Sequence, residues 1–174
     1  RQKTRSADPS SVRVVVTGMG AVTPLGFSAP LLWEALLRGD DAIGPLDRFD
    51  PGGIACTRGG QIRGYAPPGT PAPAGTSSLA VAFAAGACAE AVSQAGGGVA
   101  GLGIVTASNF GPLDEGERGL AGEAASLPAC AQWTAGARLA RAFRLPGPVV
   151  AVSLSCAAGA AALAEAAELL CAGR

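Results

Sequence analysis

Residues 149–163 read V-V-A-V-S-L-S-C-A-A-G-A-A-A-L, an apolar run that reaches Cys156 and passes at once into alanine-rich sequence. A buried strand running straight into a helix would place the thiol at the helix N-terminus, where unpaired N–H groups and the macrodipole favour an anion. A free thiol titrates at about 8.5, and such a position commonly lowers that value. The chemistry this predicts is nucleophilic: a thiolate attacks an activated carbonyl, and a backbone N–H beside the sulfur receives the oxyanion. Gly159, one turn on, would let another backbone pack close. A buried structural cysteine is the alternative, because free Cys is among the most buried residue types. Spacing alone leaves both readings open.

A second segment, V-V-V-T-G-M-G-A-V-T-P-L-G at residues 14–26, places Gly-x-Gly after a β-branched run. A dinucleotide fingerprint needs a third glycine three residues after the second, for close helix–strand packing. Thr23 occupies that place and Pro24 follows it, so a structural turn is expected rather than a pyrophosphate cradle. The five cysteines, Cys56, Cys88, Cys130, Cys156 and Cys171, form no C-x-x-C pair and are odd in number. That argues against zinc or a disulfide framework and for free thiols in a reducing cytoplasm. No cofactor and no metal are expected. Histidine is absent, and Met19 is the single methionine.

Thirteen basic and 13 acidic residues cancel, which shows none of the basic excess of a nucleic-acid binder. Hydrophobic residues make up 49% of the 174, and mean hydropathy is +0.35, too apolar for a disordered chain. Residues 149–171 have the length of a membrane span, but Gly159, Glu165 and Glu168 interrupt them. The polar residues 1–12 lack the apolar core of a signal peptide and read as a mobile tail ahead of one domain at 13–174.

The elements that would position these residues follow from propensity and punctuation. Arg13–Thr17 reads as a strand, 18–26 as a turn-rich loop, and Leu31–Arg38 as a helix stopped by Gly39. Residues 40–77 are dense in Gly and Pro, which predicts loops with a strand near Gln61–Tyr65 and greatest flexibility at Pro67–Gly75. Ser77 or Ser78 can cap a helix running to Gln94, ending at Gly96–Gly98. Leu102–Thr106 is a second strand, and Ser108–Leu127 is loop-like with an acidic group of Asp114, Glu115 and Glu117. Ala129–Phe143 is a helix stopped before Pro146, Val149–Leu154 a strand with the pattern of one covered on both faces, and Ala157–Cys171 a helix. Strands alternating with helices predict a layered α/β fold with a largely parallel sheet.

Two motifs in order carry a resemblance. G-M-G-A-V-T-P-L-G near the N-terminus, and R-L-P-G-P-V-V-A-V-S-L-S-C-A-A-G at residues 144–159, are similar to the opening signature and the active-site approach of the β-ketoacyl synthases. W-E-A-L-L-R-G, D-A-I-G and R-F-D within residues 33–50 fit the same pattern, so the likeness runs through 13–174. It implies the N-terminal half of a thiolase-like fold. It also implies that Cys156 accepts an acyl chain from an acyl carrier protein as a thioester, which a decarboxylated malonyl unit then attacks. Phe110, in A-S-N-F-G-P, matches a position lining the acyl pocket; an ordinary core aromatic is the other reading.

Departures from the family pattern are specific. Leu154 stands where relatives usually carry Thr, Ala157 and Ala158 replace small polar residues after the cysteine, and A-S-N-F-G-P replaces a glycine-rich turn. Pro67–Leu79 has no Lys or Arg where some relatives carry a basic carrier-docking cluster, which leaves Arg58 and Arg63 as substitutes. Relatives draw two histidines, a lysine and a phenylalanine-gated glycine loop from a second half. The expectation is therefore a ketosynthase piece completed by a C-terminal half or a second chain, as a homo- or heterodimer. The alternative is a non-catalytic partner subunit of the chain-length-factor or scaffold type.

Overall fold

Residues 12–66, 78–123 and 127–174 are described by a computed structural model, and they group into two compact units. The expected tail at 1–12 and the flexible stretch at Pro67–Gly75 fall almost wholly outside the described residues.

The unit formed by 17–66 and 82–98 is built on helices α1 (Ala29–Arg38) and α2 (Leu79–Gln94), the latter beginning in the other unit. Helix α1 starts where Ser28 Oγ accepts the Leu31 N–H at 3.3 Å and stops at Gly39, whose φ of 72° is left-handed. The loop before it owes its path to α2. Glu90 accepts the N–H groups of both Ala21 and Ala29 at 2.9 Å, and Gln94, one turn further, accepts from Met19. A carboxylate at the first residue of α1 also suits the positive end of that helix.

Gly18 and Gly20 allow this approach. A Cβ on Gly18 would lie 2.1 Å from the Ala91 carbonyl oxygen, and one on Gly20 would lie 2.0 Å from that of Ala87. Their spacing thus serves packing against α2, where the sequence predicted only a structural turn. Gly20→Ala is expected to destabilise this unit by about 2–3 kcal/mol, because backbone cannot yield as a flexible side chain would. Gly98→Ala, whose methyl would meet nothing within 4 Å, is the control. Comparing urea midpoints checks this, and equal midpoints would refute it.

Strands β1 (Ile43–Pro45) and β2 (Arg58–Gly60) pair antiparallel in the same unit, Ile43 opposite Gly60. The strand expected at Gln61–Tyr65 thus lies just upstream, in R-G-G sequence that propensity disfavours. Cross-hairpin contacts hold it: Arg58 donates to the Ile43 carbonyl at 2.6 Å, and Arg63 to Asp47 and to the Pro45 carbonyl.

In the other unit β3 (Ile104–Ala107) and β4 (Val149–Val152) pair in parallel, Ile104 opposite Val149 and Ala107 opposite Val152. Helices α4 (Gln132–Phe143) and α5 (Ala158–Cys171) pack on this pair. Ser78 caps the start of α2, as expected, and is itself held: its hydroxyl donates to Asp114 at 2.7 Å, and Asp114 also accepts the Leu79 N–H.

Asp114 belongs to helix α3 (Leu113–Leu120), where sequence predicted a loop. Gly116 and Gly119 lower helix propensity, yet they let α3 dock. A Cβ on Gly116 would lie 3.2 Å from that of Cys130, and one on Gly119 only 2.6 Å from the Leu127 side chain. Glu115, 3% exposed, forms ion pairs with Arg118 at 2.9 Å and Arg138 at 3.0 Å, joining α3 to α4.

Two further expectations, at Val14–Val16 and at Gly159, are corrected. Val14–Val16 pair with no strand among the described residues and are exposed; β-branched propensity makes no ladder without a partner. Strand β4, apolar in the pattern of one covered on both faces, leaves Val149 and Ala151 exposed in this chain, which offers too few elements to cover it. Among the described residues nothing lies within 4 Å of the space a Gly159 side chain would take, where a close backbone was expected.

Candidate functional site

The carboxyl ends of β3 and β4 point the same way, and the loops that leave them carry both residues singled out from the sequence. Ligands of open α/β sheets gather at that end of the strands. Past the last paired residues, the Ser108 N–H still donates to the Val152 carbonyl at 3.2 Å. The β3 loop then turns on itself: Ser108 Oγ accepts the Gly111 N–H at 2.8 Å, and Gly111 has a φ of 64°. Phe110 sits inside this turn and is 71% exposed, so it is no core aromatic in this chain.

The β4 loop is sharper. Leu154 leaves the extended region, and Ser155 takes a φ of 47°, a left-handed conformation that costs a non-glycine residue about 1–3 kcal/mol. Ser155–Ala157 form a single 3-10 turn, and α5 begins at Ala158. Cys156 is therefore at the strand-to-helix turn and two residues ahead of the α-helix. Its thiol-bearing residue is exposed in this chain. Within the turn the Ala157 N–H donates to the Leu154 carbonyl and the Ala158 N–H to that of Ser155. Neither bond uses the N–H of Cys156.

The other thiols sit differently. Cys88 is half-buried on α2, and that burial pushes its thiol pKa up. Cys130 donates to the Leu127 carbonyl at 3.0 Å, Cys171 is half-buried, and exposed Cys56 donates to the Arg58 carbonyl at 3.3 Å. Arg58 and Arg63, named for carrier docking, are both engaged within the β1–β2 hairpin. Among the described residues no three of His, Cys, Asp and Glu converge as a metal site would require.

Sequence reading missed Gln132. The first residue of α4, it donates through Nε2 to the Asn109 carbonyl and to Ser153 Oγ, the latter at 3.2 Å. One side chain thus joins both loops. Its only sequence signal is an amide at the head of an otherwise apolar and basic helix.

A thiol on a left-handed turn between a parallel strand and a helix, in an α/β frame, is the arrangement a cysteine nucleophile would use. Comparison with known proteins makes it more particular. Residues 11–69 match the family model "Beta-ketoacyl synthase, N-terminal domain". The 3-oxoacyl-[acyl-carrier-protein] synthase 2 of Synechocystis sp. is 45% identical over 53 residues, 30% of this chain and 13% of that protein. A β-ketoacyl synthase from Burkholderia phymatum overlays 92% of this chain on 44% of its own with a TM-score of 0.74, at 24% identity. The ishigamide ketosynthase/chain length factor overlays 91% on 44% with a TM-score of 0.76, at 22% identity. At those identities the overlays establish the fold, and the sequence match covers about a third of the chain. Over residues 11–69 the chain is similar to the N-terminal domain of the β-ketoacyl synthases. It spans less than half of the solved chains it overlays, and its aligned sequence about an eighth of the curated relative.

Proposed function

We propose that this chain is the acyl-accepting part of a β-ketoacyl synthase, with Cys156 as the nucleophile. The observation that carries the proposal is the exposed thiol on the left-handed Ser155 turn between β4 and α5. The sulfur attacks the thioester carbonyl of an acyl chain on an acyl carrier protein, and the carrier's thiol leaves. The acyl-cysteine is then attacked by the carbanion left when a malonyl thioester loses carbon dioxide; the new carbon–carbon bond forms as the cysteine sulfur departs. Splitting the transfer through a covalent intermediate replaces one hard step by two easier ones. The Cys156 N–H, unused within the turn, would be half of the oxyanion hole, and Phe110 would line the acyl pocket. Imidazole groups for decarboxylation would come from a C-terminal half or second chain, since this sequence has no histidine. The assembly would work in the cytoplasm as a homo- or heterodimer, in fatty-acid or polyketide synthesis.

A second reading is a non-catalytic partner subunit. Leu154, Ala157 and Ala158 around the cysteine favour it, as does a fold shared with a ketosynthase/chain length factor. Limited iodoacetamide treatment with peptide mapping separates the two. The acyl-accepting reading expects Cys156 to be labelled first, ahead of Cys56, which is also exposed. Preferential labelling of Cys56 or Cys88 would count against it.

A further inference from the structure

We infer that Gln132 is a positioning residue, whose amide fixes the Phe110 loop to the Cys156 turn and thereby sets where a bound acyl chain runs. The inference rests on reading Cys156 as the acyl acceptor and Phe110 as a pocket residue. A glutamine amide nitrogen has two hydrogens. Here one goes to the carbonyl of Asn109, the neighbour of Phe110, and the other to the hydroxyl of Ser153, three residues before Cys156. Beyond the bond from Ser108 to Val152, no backbone hydrogen bond joins these two loops among the described residues. The loops therefore depend on the side chain between them.

That side chain has a firm base. Thr134, Gly136, Leu139 and Ala140 of α4 are buried, and Thr134 Oγ1 lies 2.7 Å from the carbonyls of both Ala129 and Ala131, which fixes the start of the helix. The turn it steadies holds Ser155 in a left-handed conformation, which persists only where the surroundings over-determine it. Removing the amide would free the turn to relax and let the Phe110 loop drift from it. The sulfur would remain, but its relation to the pocket would change.

Two variants test this in the assembled protein. Gln132→Leu deletes both donors; Gln132→Glu keeps the shape but turns an acceptor toward the Asn109 carbonyl. Hydrogen exchange should rise by about tenfold or more in 108–111 and in 153–157 together, with α2 unchanged. Alkylation by haloacetamides with short and long acyl tails should show a changed long-to-short rate ratio at Cys156 in both variants and a constant ratio at Cys56. Lowering the pH to protonate the introduced Glu returns one donor and should partly restore the Gln132→Glu protein but not Gln132→Leu. Unchanged exchange, or a rise in one loop alone, overturns the inference even if wild-type Cys156 is the fastest thiol. Wild-type Cys156 reacting no faster than Cys56 sinks the acyl-acceptor reading instead, whatever the exchange shows.

Discussion

Cys156→Ala is expected to lose condensation in the assembled enzyme by about 10⁴-fold or more, the scale on which enzymes suffer when their nucleophile is removed. The fold should persist. Cys156 is exposed, its side chain makes no described hydrogen bond, and alanine is tolerated in a 3-10 turn leading into a helix. Cys171→Ala is the matched control, half-buried at the far end of α5, and should condense at nearly the wild-type rate. Carbon–carbon bond formation with a malonyl thioester measures both. Wild-type rates in both variants would leave only the partner-subunit reading.

The second large effect concerns the chain by itself. Residues 1–174 expressed alone are expected to self-associate or aggregate at about 10 μM, because exposed apolar area of this extent is rare on a monomer. Much of that area lies on α5 and β4. Helix α5 buries only Ala158 and Ala162, while Leu163 is 70% and Leu170 55% exposed; Val149 and Leu154 are exposed beside them in sequence. Among the described residues strand β4 also pairs with β3 alone, which leaves its other edge open to another chain. Leu163→Lys should reduce the association, and co-expression with a C-terminal ketosynthase half should abolish it. Light scattering reads both, and a monodisperse wild-type monomer with catalytic turnover would contradict the expectation.

Much of the frame was legible because its signals are local. Ser28 and Gly39 bracket α1, Ser78 opens α2, and the apolar runs of β3 and β4 stand out against their neighbours. What escaped was set by contacts distant in sequence. Helix α3 forms in glycine-bearing sequence because Glu115 finds Arg138 on another helix, and β2 forms in R-G-G because β1 faces it. The converse holds at Val14–Val16, where propensity is strong and a partner strand is lacking among the described residues. At the site, the position of Cys156 between strand and helix could be read from its flanks. The left-handed Ser155 and the two-way bond of Gln132 could not, since neither leaves a periodic or compositional trace.

The claim that Cys156 accepts an acyl group is tested most directly by the site of acylation. The assembled protein is incubated with a radiolabelled or mass-tagged acyl thioester, quenched in acid and mapped by peptide mass. The account predicts one acyl group per chain, on the peptide holding Cys156, removed by hydroxylamine as a thioester should be and absent in Cys156→Ala. Acyl label spread over Cys56 and Cys88, or no label on an intact assembly, would contradict it.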